Sequence, residues 1–407
     1  MSFTFEGNVN SLRSAANIEK IDVIKNGSII SVIPNIEGKK GSLRIFAHLV
    51  DFDNGSIYFE DAREGLRLYA EMVDNAKKYP GNYPNIDILL GLKEEESLKI
   101  VVHYYLNEKL RDNVEYFTKI NKKGKLADER IAALATFGEL MDALEAGSVR
   151  AAQIIDGKWQ ANSWVKEGIM LGFALGNMKV LGSGDIHFFD KDTFPLRKIS
   201  ADLGIRLVPP ATGLRRGAFA GRGSVFVSPA YVNVGAHIGC HTMVENLAGS
   251  CCQVGSKSHI SAGAIVGGAI TPVDATPVII GDNVLLGEGS VITQGSRVGD
   301  LATIAPGVHI SKSTPVIDPI KGVAYTTNGV CELKEHKMGD AKLFGIGKII
   351  KEKDSSYGPE VPNGALIVQG LSMGNSGVPH ISPIVAKYIT HKSHRINALQ
   401  ETLRSND

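Results

Sequence analysis

Residues 279–310 read IIGDNVLLGEGSVITQGSRVGDLATIAPGVHI, and a large aliphatic residue returns at every sixth position: Ile280, Leu286, Ile292, Val298, Ile304 and Ile310. The same beat runs upstream through Phe226, Val232, Ile238 and Val244, and again through Val254, Ile260 and Val266. Four residues after each anchor stands a small or β-branched residue, such as Ala230, Thr242, Ala248, Ser258, Val284 or Ala302. Glycine often follows the anchor directly, as at Gly239, Gly255, Gly281 and Gly299. Period six matches neither the helical 3.6 nor the strand alternation of two. It matches a solenoid in which each hexad makes one short strand and one corner, with three hexads closing a triangular coil. Chance periodicity explains this poorly, because the thirteen anchors are all large and apolar. The fold class expected is mainly β, a parallel β-helix whose hexads run over roughly residues 216–313.

Two interruptions break the beat. Val244 to Val254 is ten residues, two short of two hexads, and Val266 to Ile280 is fourteen, two more than two hexads. The second contains Thr271-Pro-Val-Asp-Ala-Thr-Pro277. Proline has no N–H for a regular ladder, so this stretch is expected to project as a loop. Loops on a rigid scaffold are where sites tend to sit.

Outside the repeat the pattern changes. The stretches Ile21–Ile33, Ser42–Phe52, Ile86–Leu92 and Leu98–Tyr105 read as strands, and Asp61 to Lys77 as a helix ending at Pro80-Gly81. The lysines between 119 and 125 read as a linker or exposed turn. From Asp128 the period becomes helical through Ile131, Leu134, Phe137, Leu140, Met141 and Leu144, with Gly147 as a stop, and a second apolar helix covers Ile169–Leu175. The domains expected are an extra α+β domain at 1–125, a helical domain at 126–205, the β-helix at 206–314 and a C-terminal extension at 315–407.

Composition sets limits on function. With 43% hydrophobic and 21% charged residues and a formal charge of +1, the chain has no electrostatic footprint for nucleic acid or an acidic membrane. Any anionic ligand must be held by local cations. The first twenty residues have no apolar stretch of a secretory signal, and no apolar run reaches the ~18 residues of a membrane helix. The four cysteines, Cys240, Cys251, Cys252 and Cys331, fit neither a disulfide framework nor a paired zinc site. A cytoplasmic location with reduced thiols is the expectation.

Several longer words are specific: Leu207-Val-Pro-Pro-Ala211, Arg215-Arg-Gly-Ala-Phe219, Ser228-Pro-Ala-Tyr-Val-Asn233 and Thr242-Met-Val-Glu245. To these add Pro277-Val-Ile-Ile-Gly-Asp-Asn283, Val361-Pro-Asn-Gly364 and, upstream, Glu145-Ala-Gly-Ser-Val-Arg150. From about residue 128 onward the chain resembles the tetrahydrodipicolinate N-succinyltransferases, hexapeptide-repeat acyltransferases of diaminopimelate and lysine synthesis. Residues 1–125 have no counterpart in that resemblance.

The resemblance implies a left-handed helix, a homotrimer with sites between adjacent prisms, and succinyl-CoA as co-substrate with no permanently bound cofactor. It implies that an amine attacks the thioester carbonyl, which requires a base, oxyanion donors and cations for two carboxylates. Glu245 matches the acidic residue central to catalysis, although a glutamate at a coil corner is ordinarily a solvated carboxylate. Some relatives carry a second glutamate where this chain has Val291, and Glu288 is off that position, so Glu245 would act alone. Arg215, with Arg216 as a weaker candidate, Asn233 and Met243 would bind the substrate; a surface ion pair is the ordinary alternative for the arginine. Ser261, Gly263, Gly267, Gly268 and Ala269 would line the coenzyme A groove, their small size letting the pantetheine arm bond to the backbone. Lys392 would meet coenzyme A phosphates, and the C-terminal extension would close the groove. His237, His241 and His259 lie in the right region for a base or a zinc ligand, but their positions match no known ligand spacing, so no metal is expected. Two other readings stand beside this one: an acyltransferase using acetyl-CoA or another amine, and a catalytically silent scaffold.

Overall fold

A computed structural model gives the structure of the chain and describes residues 4–389, except 13, 17, 51–54, 106–107, 156–157, 184–185, 339–340, 353–356 and 375–376. Contacts divide it into two compact units, one holding residues to 106 with the segment Ile154–Trp159, the other holding most of the remainder.

The first unit has four strands, β1 (Ile18–Lys25), β2 (Ser28–Pro34), β3 (Gly55–Ile57) and β4 (Leu98–Tyr104), in the order β2-β1-β4-β3 and all antiparallel. Ile21–Ile33 is therefore a hairpin, turned at Asn26 and Gly27, both with positive φ. Five helices accompany the sheet: α1 (Phe5–Ser11), α2 (Lys40–Leu49), α3 (Phe59–Tyr69), α4 (Met72–Lys78) and α5 (Pro84–Leu90). Two of the expected strands are helices. In α2 the apparent alternation of Leu43, Ile45 and Ala47 is broken by Phe46, and all four are buried. In α5 Pro84 occupies the first turn, where its missing N–H costs nothing, and Ile86 and Leu89 are buried three apart. The helix expected from Asp61 to Lys77 is two, interrupted at Ala70 with φ of 46°.

The second unit opens with three packed helices, α6 (Glu108–Lys122), α7 (Arg130–Glu145) and α8 (Ser163–Leu175). The helical region thus begins near 108, before the expected boundary at 126. Of the lysine-rich stretch, Lys119 and Lys122 lie on the outer side of α6, which buries Leu110, Val114 and Phe117 at helical spacing, while residues 123–125 form the expected exposed turn. In α7 the inward face is Ala133, Phe137, Leu140, Met141 and Leu144, while Ile131 is 87% exposed, contrary to its place in the sequence pattern. A Cβ on Gly172 of α8 would stand 2.2 Å from the Phe137 ring, so glycine there is what lets α7 and α8 approach.

The repeat forms the prism. Two-residue strands stack in parallel on three faces. Face one carries Val225–Phe226, Met243–Val244, His259–Ile260 and Leu285–Leu286; face two Gly213–Leu214, Tyr231–Val232, Leu247–Ala248, Ile265–Val266 and Val291–Ile292; face three Phe219–Ala220, His237–Ile238, Gln253–Val254 and Ile279–Ile280. Every one of the thirteen anchors is at most 2% exposed. Burying each contributes about 1.5–3 kcal/mol. The small position four residues on is partly a hydrogen-bond ladder. Ser224, Thr242 and Ser258 each donate to a carbonyl of the next coil, at Gly239, Gly255 and Gly281, and accept from the amides of Thr242, Ser258 and Val284.

Both interruptions are resolved. Ala248 is itself an inward anchor, so the first is one corner lacking two residues. The second is not two hexads plus two: strands Ile265–Val266 and Ile279–Ile280 are consecutive, so the loop is an eight-residue insertion in a single step. The prism also begins earlier than the periodicity shows, at Arg206–Leu207, and gains Glu360–Val361 and Leu366–Ile367 from the C-terminal region. Between these, Val316–Asp318, Val323–Thr326, Gly329–Met338 and Ala341–Glu352 pair in antiparallel succession. Among the described residues no helix is long and apolar enough to cross a membrane.

Candidate active site

The short corner decides the geometry. Only Glu245 and Asn246 join Val244 to Leu247, where neighbouring corners use four residues, 227–230 and 261–264. The partner of Met243 on the next coil is consequently His259, sixteen residues on rather than eighteen. The Glu245 N–H donates to the Ile260 carbonyl at 2.9 Å, which fixes its backbone just above His259. Its carboxylate Oε1 lies 2.7 Å from His259 Nε2, the two side chains being 25% and 16% exposed. Glu245 therefore does not stand alone. Glu288 is exposed, and an imidazole is bonded to Glu245. His259 was weighed in the sequence only as a metal ligand or base. Its pairing was hidden because fourteen residues separate it from Glu245, and only the stacking of one coil on the next brings them together.

The arginines lie on another edge. Glu245 stands where the chain enters face two, and Arg215 and Arg216 where it leaves, so within one protomer they flank opposite edges of that face. Arg215 is occupied. Its guanidinium pairs with Asp190, donates to the Phe194 carbonyl at 3.1 Å and the Tyr231 hydroxyl at 3.4 Å, and lies over the Phe194 ring. Arg216 is half-buried and its guanidinium pairs with the exposed Asp142 at 3.0 Å. Arg222 is exposed. Asn233 sits on the Arg215 edge, one coil on, and turns its Oδ1 back to accept from the Val234 amide at 2.8 Å. Met243 is buried at 5% exposure beside the dyad.

The residues expected along the coenzyme A groove divide. Ser261 follows Glu245 on the same corner row, one coil on, and is buried, while Gly263 is exposed with φ of +71°. Gly267, Gly268 and Ala269 lie on the other edge, where Gly268 passes so close to Ser250 that a Cβ would stand 2.3 Å from its nitrogen. The amides of Ser261, Gly267 and Ala269 donate to Leu286, Ile292 and Ser250 within the coil. Those three N–H donors are engaged between coils of the prism itself. Lys392 lies outside the described residues.

His237 is 2% exposed and stacked on Phe219, and among the described residues no cluster of three His, Cys, Asp or Glu could hold a metal ion. One further residue had no sequence signal. Lys166 of α8 is fully buried and donates to the Ala275 carbonyl of the inserted loop, and burial pushes its ammonium below the ordinary lysine range. Burial likewise pushes the nearby Cys251 thiol up to about 12, which makes it a poor nucleophile.

Comparison with known proteins follows the same divisions. Residues 5–102 match a family of uncharacterized proteins conserved in bacteria, residues 109–175 the tetrahydrodipicolinate N-succinyltransferase N-terminal family, and residues 277–312 the bacterial transferase hexapeptide repeats. A 2,3,4,5-tetrahydropyridine-2,6-dicarboxylate N-succinyltransferase of Idiomarina loihiensis is 30% identical over 308 residues, 74% of this chain and 98% of the relative. One from Polynucleobacter asymbioticus is 39% identical over 188 residues, 44% of this chain and 67% of its own. A crystal structure from Campylobacter jejuni, provisionally described as a 2,3,4,5-tetrahydropyridine-2-carboxylate N-succinyltransferase, spans 94% of this chain and 98% of its own at 16% identity and a TM-score of 0.35.

Proposed function

The chain belongs to the 2,3,4,5-tetrahydropyridine-2,6-dicarboxylate N-succinyltransferase family, and we propose that it moves a succinyl group from succinyl-CoA to the amino group derived from tetrahydrodipicolinate, with Glu245 as base. It is an acyltransferase of diaminopimelate and lysine biosynthesis. The observation that carries the residue assignment is the Glu245 carboxylate held at the one shortened corner of the prism, 2.7 Å from His259.

The chemistry follows from that carboxylate. As the amine nitrogen bonds to the thioester carbon, it must lose a proton, and Glu245 takes it. The C–S bond then breaks, and the same proton can return to the sulfur as coenzyme A leaves. A positioned base contributes on the order of 100-fold or more. Glu245→Gln keeps shape and hydrogen bonding but not basicity, so its kcat should fall at least ~100-fold. Arg216, whose guanidinium pairs with the exposed Asp142, is the readier cation for a substrate carboxylate, and Arg215 serves the scaffold.

Donor choice rests on whether a pocket accepts a terminal carboxylate. Thiol release should be faster with succinyl-CoA than with acetyl-CoA. Equal or better acetyl transfer would sink the succinyl assignment, and a chain with no thioester turnover at all would be a scaffold. We read the working form as a homotrimer, because the Glu245 and Arg216 edges of one prism do not meet within it.

A further inference from the structure

The reading of Glu245 as base leaves one question open: what selects the oxygen that receives the proton. A glutamate side chain has three torsions, and a base that samples them all is seldom in place. We propose that His259 is a positioning residue that holds Glu245 by one oxygen and leaves the other to the substrate. This rests on the proposed role of Glu245.

The direction of the hydrogen bond is fixed by chemistry. An ionised carboxylate only accepts, so at 2.7 Å the proton between the two lies on His259 Nε2. Oε1 is thereby engaged and Oε2 is the oxygen that takes the amine proton. The surroundings support a dedicated role. His259 occupies an outward strand position on face one, and its neighbours in that row, Val225 and Met243 before it and Leu285 after, are apolar. Met243 and Val225 are at most 5% exposed. A polar ring in such a row needs a partner, and the Glu245 carboxylate lies at hydrogen-bond distance. Two backbone bonds hold the pair rigid, from the Glu245 amide to the Ile260 carbonyl at 2.9 Å and from the His259 amide to the Val284 carbonyl at 2.8 Å. The imidazole also faces a charge that disappears during the reaction. When Oε2 is protonated, the bond to Oε1 weakens, which favours return of the proton to the departing sulfur.

The test separates position from mere presence. A glutamine amide nitrogen can stand where Nε2 stands, whereas an asparagine amide reaches only as far as Nδ1. His259→Asn should lower kcat on the order of 100-fold, the effect of a misplaced catalytic group, with the KM for succinyl-CoA little changed. His259→Gln should recover most of that loss. The readout is thiol release from succinyl-CoA, with thermal melts run alongside. If His259→Asn is fully active while Glu245→Gln is dead, the positioning role is wrong and the base assignment stands. If His259→Gln falls as far as His259→Asn with melts intact, the donated hydrogen bond is not the function. If His259→Asn does not fold, His259→Gln decides alone: near wild-type kcat supports the role, and a loss as deep as that of Glu245→Gln overturns it. An active Glu245→Gln overturns the base assignment itself.

Discussion

Arg215 and Arg216 are adjacent in the chain and differ in everything else. The first is wrapped by Asp190, Phe194 and Tyr231, with 14% of its side chain exposed; the second extends to Asp142 at the surface. A guanidinium already satisfied on several sides gains little from a substrate carboxylate, because it must first give up its partners. Arg215→Met should therefore cost about 1–3 kcal/mol of folding stability, the usual value of charged hydrogen bonds, with little change in acceptor KM. Arg216→Met should raise the acceptor KM roughly tenfold, one lost charge-assisted bond, while leaving the melt almost unmoved. Steady-state kinetics and thermal melts on both variants check this, and a reversed pattern would return the substrate role to Arg215. Glu245 was legible in the sequence because its four-residue word is specific. His259 was present there too, but its role depends on which coil lies beneath which.

At the scale of elements, the misread segments share one cause. Leu43, Ile45 and Ala47 alternate like a strand and fold as α2, since a short apolar run fits either period and only the partner surface decides. The inserted loop shows the same dependence. Its prolines marked a break in the ladder, yet nothing in it foretold that α8 would bury Lys166 against the Ala275 carbonyl. That lysine makes a pH-dependent demand on the fold. Its folded-state proton affinity is lowered by burial, so in alkaline solution below the ordinary lysine value the unfolded chain binds more protons. Stability contributed by this group therefore rises with pH toward that value. Lys166→Met removes the term, so the melting temperature of the wild type relative to the variant should climb between pH 7 and 10. A difference that stays flat would mean that Lys166 keeps its charge when buried.

At the scale of the whole molecule, the prism divides the site. On the proposed reading Glu245 and Arg216 serve one site, yet they stand at opposite edges of face two, so a neighbouring prism would supply the other half. Sedimentation equilibrium should give three times the mass of one chain. A sharper result comes from mixing. Subunits carrying Glu245→Gln and subunits carrying Arg216→Met, co-expressed, should form some sites with both residues intact. At an acceptor concentration too low for Arg216→Met alone, activity should exceed the sum of the two homogeneous variants. No gain on mixing would place both groups in one protomer's own site.

The sequence by itself determined the prism, because each hexad obeys a local rule: a large residue inward, a small one at the corner, often a glycine after the anchor. It also determined that the beat fails at two places and that Glu245 stands at one of them. What it left undecided were features that need two distant segments at once. The helices of the first unit required a sheet to cover, and the last coil required residues 360–367 to return after an excursion through antiparallel strands. The Glu245–His259 bond required one coil to stack on the next. Periodicity records what each residue does for its own turn, and tertiary structure alone sets which turn lies against which.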